Sequence, residues 1–120
     1  MPDLLSQPVA APMVVKDLAG GWWRDCAFEF FREGIEICHP LPGEPAVALL
    51  RYAPGAHAPA HLHQGLESIF VLEGSQRDER GTYGPGCLVL NPQGSVHSVT
   101  SDKGCVVLLQ WVRPVRFLDE

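Results

Sequence analysis

Four side chains able to bind a metal stand in two short segments of this 120-residue chain. The first reads Gly55-Ala56-His57-Ala58-Pro59-Ala60-His61-Leu62-His63-Gln64-Gly65-Leu66-Glu67, and the second Pro92-Gln93-Gly94-Ser95-Val96-His97. His61 and His63 are two apart, so an extended backbone turns both imidazoles to one face. Glu67 shares that parity, with Gly65 able to bend the chain between them. His97 belongs to a separate strand that must come alongside. Three imidazoles and one carboxylate suit a borderline divalent ion such as iron, manganese, nickel, copper or zinc. A carboxylate facing an apolar interior beside two histidines is costly unless a positive charge neutralises it. His61, His63, Glu67 and His97 are therefore read as the ligands of one divalent transition metal per chain. The remaining histidines are read as ordinary ones. His39 adjoins Pro40, and Pro59 interrupts any strand that would aim His57 with His61.

The scaffold that must position these residues is read as all-β. Twelve glycines and eleven prolines fall between short apolar runs, which is the punctuation of strands and turns. Strands are expected at 35–38, 46–52, 67–73, 87–90, 95–100 and 105–112. A hairpin is expected from 75–78 and 81–83, turning at Glu79-Arg80-Gly81. A further short strand is expected at 13–16. Short strands with turn signals every ~8–12 residues indicate a sandwich or barrel. Residues 1–20, broken by Pro2, Pro8 and Pro12, read as an irregular or edge-strand arm that could be swapped in a dimer, with the barrel over 21–120.

The first segment matches the cupin pattern Gly, five residues, His-x-His, three residues, Glu, six residues, Gly, at Gly55, His61, His63, Glu67 and Gly74. The second cupin pattern matches at Gly86, Pro92, Gly94 and His97, with Ser101 where the family has Asn. The chain thus resembles the cupins, which implies a double-stranded β-helix, or jelly-roll, barrel with the four ligands brought together on neighbouring strands. Leu72-Glu73-Gly74, Asp78 to Tyr83, Asn91 to His97 and Gly104-Cys105 are similar to the ChrR-type cupins. That group includes the cupin half of an anti-sigma factor and dioxygenases that cleave diketones or hydroxyacetophenones. Relatives of the acetylacetone-cleaving type use three histidines without the carboxylate, so Glu67 argues against that substrate. The anti-sigma factor grips its sigma factor with a separate N-terminal zinc-binding helical domain. The first 45 residues here hold no His/Cys cluster and no helical pattern for such a domain, so a sigma factor is not expected as a partner of this chain alone.

The ligand set leaves two functions open. Zinc prefers four ligands, which these side chains would supply in full, giving a structural or sensing site. A six-coordinate iron, manganese or nickel would keep two positions for a chelating substrate and O₂ or water. With one carboxylate the site keeps a formal charge of about +1, which favours an anionic chelating substrate such as an enolate or carboxylate. The expectation is a metal-dependent dioxygenase or related enzyme acting on a small diketone, hydroxyketone or phenolic substrate, with Glu67 as its catalytic carboxylate. The alternative is a non-catalytic metal-binding sensor or regulatory module. Ile69 and Val71 share parity with Glu67, and Val99 with His97, so all three are expected in the pocket wall. Arg51 and Tyr52 end the preceding strand and only one of them can face inward. Arg51 would partner a substrate carboxylate, whereas an arginine on the surface is the ordinary case.

Composition narrows the rest. The formal net charge is −5, and the Lys and Arg residues form no basic stripe, which disfavours nucleic acid. No apolar run approaches the ~20 residues of a membrane span, and the start lacks the pattern of a signal peptide. A cytoplasmic location is expected by default. No Ser-His-Asp set, phosphate loop, dinucleotide fingerprint or carboxylate pair of glycosidase type competes with the metal reading. Cys26, Cys38, Cys87 and Cys105 form no C-x-x-C pair and are read as free buried thiols, Cys87 and Cys105 within strands. A homodimer is expected, because a short barrel leaves sheet edges and three tryptophans to cover.

Overall fold

Strands form here where an alternating apolar set can fill a shared interior. In the computed structural model, which describes residues 12–119, they make two antiparallel sheets, with strands numbered in chain order. The larger sheet has the order β1 (Glu29–Arg32), β2 (Ile35–Leu41), β3 (Ala46–Tyr52), β10 (Cys105–Trp111), β5 (Glu67–Gly74), β8 (Leu88–Asn91). The smaller has the order β11 (Arg116–Phe117), β4 (His57–Leu62), β9 (Val96–Thr100), β6 (Gln76–Asp78), β7 (Gly81–Tyr83). From β3 onward the chain passes between sheets at every turn except the β6–β7 hairpin, which is the jelly-roll arrangement expected. Among the described residues no helix is long and apolar enough to cross a membrane.

The inner set of each strand builds the core. Ile35, Ile37, Ala48, Leu50, Ile69, Val71, Val99 and Val107 are all buried in it. Each of the Ile, Leu and Val side chains stabilises the fold by roughly 1.5–3 kcal/mol through apolar burial. β3 is apolar from Ala46 to Leu50 because both of its faces are covered there. Ala48, Leu50 and Tyr52 point inward, while Leu49 lies under Trp23 on the outer face with Val106. Trp23 sits on a single 3₁₀ turn, Trp22–Asp25, and the Arg24 guanidinium stands 4.5 Å from its ring centroid.

Several expectations need correction. Residues 13–16 form no strand. Leu18 packs on the outer face of the larger sheet with Trp22, and residues 1–11, most of the arm expected over 1–20, lie outside the described ones, so that expectation stands untouched. Pro59 does not interrupt β4 but stands inside it, where the register against β9 shifts between Ala58 and His61. A bulge tolerates proline because the ladder is already broken there. The shift matters, since Ala58 and His61 both face inward although they are three apart. β2 runs on to Leu41, and β11 follows β10 where no strand was expected. Cys87 precedes β8 and is exposed, Cys105 is buried, and Cys26 and Cys38 are half-buried.

Two motif glycines have clear physical reasons. Gly74 has φ +74°, and a Cβ there would overlap the carbonyl oxygen of Gly104. Gly94 has φ +91° and open space around it, so its conformation alone calls for glycine. Its N–H donates to the His63 carbonyl at 2.8 Å, which brings the β8–β9 turn against the end of β4. Ser101 is fully buried, and its hydroxyl donates to the Ser75 carbonyl at 2.6 Å, closing the end of β9 onto the start of β6.

Candidate metal centre

β4 and β9 carry His61 and His97 as direct cross-strand partners, which sets their rings 4.6 Å apart between centroids. His63 follows β4, and its ring is 5.2 Å from that of His61 and 4.8 Å from that of His97. All three are buried. One nitrogen from each lies within 4.8 Å of the other two.

Which nitrogens face inward follows from what holds the others. His61 Nδ1 is 2.8 Å from the Pro59 carbonyl, made available by the β4 bulge. His63 Nδ1 is 2.9 Å from the Ser95 carbonyl. His97 Nδ1 is 3.1 Å from the Asp78 carboxylate. Carbonyl and carboxylate oxygens only accept, so each Nδ1 carries the proton and each Nε2 keeps a bare lone pair. The Nε2 atoms of His63 and His97 are buried without a hydrogen-bond partner. Leaving a buried polar atom unmade costs about 1–3 kcal/mol, and a metal ion satisfies such nitrogens. Burial holds His61 and His97 below the ordinary histidine pKa, against the opposing bonds to Pro59 and Asp78, so both favour the neutral form a metal requires.

Glu67 enters from β5, 3 % exposed. It falls outside the three-histidine group, but its Oε1 stands 3.2 Å from His63 Nε2 and accepts from Asn91 Nδ2 at 3.4 Å. Asn91 is its cross-strand partner on β8. Asp78 is itself well supported. Burial pushes its carboxyl pKa up, but bonds from the Arg80 N–H, His97, Tyr83 and the Arg80 side chain outweigh this and hold it at about 2.

His61, His97 and Glu67 line a cavity of about 340 Å³, with His63 behind them and outside its lining. Its walls are mostly apolar, with Ile37, Leu50, Ile69, Val99 and Leu109 deep and Phe31, Trp111 and Phe117 aromatic. Tyr52 and Gln76 add buried polar groups, and burial raises the Tyr52 phenol well above its ordinary pKa. Of the pocket residues expected from sequence, Tyr52, Ile69 and Val99 line the cavity. Val71 does not; it is packed in the core deeper along β5. Arg51 also needs correction. Alternation in β3 sends it to the outer face, where it pairs with Glu36 at 2.9 Å and lies over the Phe28 ring at 4.1 Å. His57 is exposed with its Nδ1 2.8 Å from Thr100 Oγ1, while His39 lines the cavity edge-on to Trp111.

Sequence reading missed Asp78, Asn91 and Ser95, the residues that hold the candidate ligands. It also missed Phe117, whose ring centroid is 5.3 Å from that of His61. Asn91 had a usable signal, since it ends an alternating segment in the same parity as Val89.

Two sheets closed over a cavity with inward histidines on adjacent strands define a cupin. The chain belongs to the family of the ChrR cupin-like domain, whose model matches residues 25–113. It is 32% identical over 110 residues to the anti-sigma-E factor ChrR of Cereibacter sphaeroides, covering 89% of this chain and 52% of that protein. The chain thus spans about half the length of this curated relative. The crystal structure of Rhodobacter sphaeroides SigE in complex with the anti-sigma ChrR matches with TM-score 0.68 at 24% identity, over 85% of this chain and 70% of that one. An acetylacetone dioxygenase from Acinetobacter johnsonii matches with TM-score 0.76 at 16% identity, over 100% of this chain and 86% of that one. At those identities the solved structures establish a common fold.

Proposed function

We propose that this cupin holds one divalent transition metal through the Nε2 atoms of His61, His63 and His97, with the Glu67 carboxylate as fourth donor, and acts there on a small chelating substrate. The observation that carries this reading is the set of three Nδ1-anchored imidazoles, two with orphaned Nε2 atoms, of which His61 and His97 line an apolar cavity of about 340 Å³. When bound, the metal supplies Lewis acidity toward the oxygens of a diketone, hydroxyketone or phenol and, if iron, manganese, nickel or copper, redox capacity toward O₂. The chain's own residues do the rest. Ile69, Val99 and Leu109 exclude water, Phe117 and Trp111 offer faces to a planar substrate, and the carbonyls and carboxylate on each Nδ1 keep the imidazoles oriented. Metal-reconstituted protein should consume O₂ with one member of a panel of diketones, hydroxyketones and aromatic diols, and His63→Ala should abolish this. No turnover with any of them, and no spectral change when they are added, would count against the enzyme.

A second reading is favoured by a specific observation. A curated relative is an anti-sigma factor, and a solved neighbour is an anti-sigma ChrR in complex with SigE, which weighs against setting such partners aside as the sequence reading does. In this reading the metal centre belongs to a regulatory or sensing module, and zinc with all four side chains saturates it. Bound zinc in protein as isolated, with capture of a sigma factor and no response to chelating ligands, would select this reading.

We also propose that the chain pairs with a second copy. Leu88 and Leu90 project from the edge strand β8 and are more than half exposed, and Leu66 and Val112 are exposed beside them, where β5 begins and β10 ends. A sheet edge bearing leucines is a surface that association would cover.

A further inference from the structure

One guanidinium is bonded toward two of the candidate ligands at once. Arg80 stands in the turn between β6 and β7, with its side chain 55% exposed. Its Nη2 donates to Asn91 Oδ1 at 2.9 Å and lies 3.4 Å from Asp78 Oδ2. Its backbone N–H donates to Asp78 Oδ1 at 2.8 Å. Asn91 is fully buried, and its Nδ2 donates to Glu67 Oε1. Asp78, whose side chain is 2% exposed, accepts from His97 Nδ1 and, at 2.9 Å, from the Tyr83 hydroxyl. Arg80 is thus one residue removed from Glu67 through Asn91, and one removed from His97 through Asp78.

The chemistry of the Asn91 amide makes this more than a chain of contacts. An amide presents an acceptor on one side and a donor on the other, and a half-turn exchanges them. Arginine has only donors, so the atom it meets must be Oδ1. The NH₂ group is thereby forced toward Glu67. Without the arginine the long 3.4 Å bond to Glu67 would be the one side-chain bond among the described residues that orients the Asn91 amide. The bond from Arg80 is charge-assisted and stronger than a neutral one.

We infer that Arg80 is a positioning residue for the metal centre: it locks the Asn91 amide so that it donates to Glu67, and it seats the Asp78 carboxylate that orients His97. The inference rests on the metal-centre reading above. It predicts that the stance of the fourth donor is set from the protein surface, by a residue that touches no ligand itself.

The test uses cobalt(II) as the probe in the full chain. Its visible absorption reports the ligand field, competition with a chelator reports affinity, and thermal melting is measured on metal-free protein. Arg77→Ala is the control, because Arg77 pairs with Asp102 at 3.0 Å in an exposed bridge. Arg80→Ala should alter the cobalt spectrum and weaken binding about tenfold or more, while its metal-free form still melts as a folded protein and Arg77→Ala keeps the wild-type spectrum. Arg80→Lys should lie between, because an ammonium keeps the charge but not the planar guanidinium geometry that sets Nη2 against both acceptors. A wild-type spectrum and affinity in Arg80→Ala would overturn the inference. A weakened affinity with an unchanged spectrum would overturn it too, as that is general loosening. Should Arg80→Ala not fold, the spectrum of Arg80→Lys decides, a shifted one supporting the inference and an unshifted one overturning it. Failure of wild-type protein to bind cobalt would defeat the metal-centre reading itself, and this inference with it.

Discussion

An imidazole whose Nδ1 proton is held by an oxygen has only one nitrogen left to use, and three such imidazoles converge here. Their convergence was legible in the sequence because it depends on spacing: His61 and His63 are two apart, and the motif places His97 on the adjoining strand. The holders were not legible, because Asp78 and Ser95 reach the site through pairings between segments that no local pattern records. Since Asp78 fixes the ring of His97, Asp78→Asn should lower metal affinity about 10–100-fold while the fold persists. A chelator titration checks this, and an unchanged affinity would deny Asp78 its role. The thiols separate on the same scale. Burial pushes the Cys105 thiol up to about 11, and burial with the neighbouring Cys38 pushes Cys26 to about 12, so both hold little thiolate at pH 8. Alkylation of native protein at pH 8 should therefore modify exposed Cys87 first and leave Cys105 unmodified until denaturant is added. Equal labelling of the two would contradict their placement.

At the scale of elements, strands with strong alternation or double burial were readable, and β3 and β7 fall on the expected residues. β4 was hidden by Pro59, because a bulge that absorbs a proline cannot be told from a break without the partner strand. β11 was hidden by its length of two residues; it pairs Phe117 with His61 and is recognisable only beside β4. Glycines were readable as turns, but not which of them also face a backbone neighbour. Gly74 and Gly55 both have positive φ, yet a Cβ at Gly55 meets open space and one at Gly74 meets the Gly104 backbone. Gly55→Ala should therefore cost only the conformational term, about 1–2 kcal/mol. Gly74→Ala should cost clearly more, since the β5–β6 junction must also move. Denaturant unfolding of the two variants in metal-free form gives the comparison, and equal losses would contradict the close approach at Gly74.

For the whole molecule, the sequence indicated a jelly roll with an apolar interior, and the cavity lies inside that barrel. Its substrate was not legible, because the walls are apolar and the arginine that sequence parity left available turns outward. The outer face is half accounted for: Trp23 and Leu18 cover Leu49 and Val106, while Leu88 and Leu90 on the edge strand remain exposed. Sedimentation velocity at micromolar concentration should accordingly show a dimer, and a charged residue in place of Leu90 should shift it toward monomer. A wild-type monomer throughout would refute the pairing. The account as a whole stands on the metal. Elemental analysis of purified protein, wild type beside a His61→Ala/His97→Ala variant, should find close to one transition metal per wild-type chain and almost none in the variant. Full metal retained by the double variant, or a wild-type chain that stays empty after reconstitution, would contradict it.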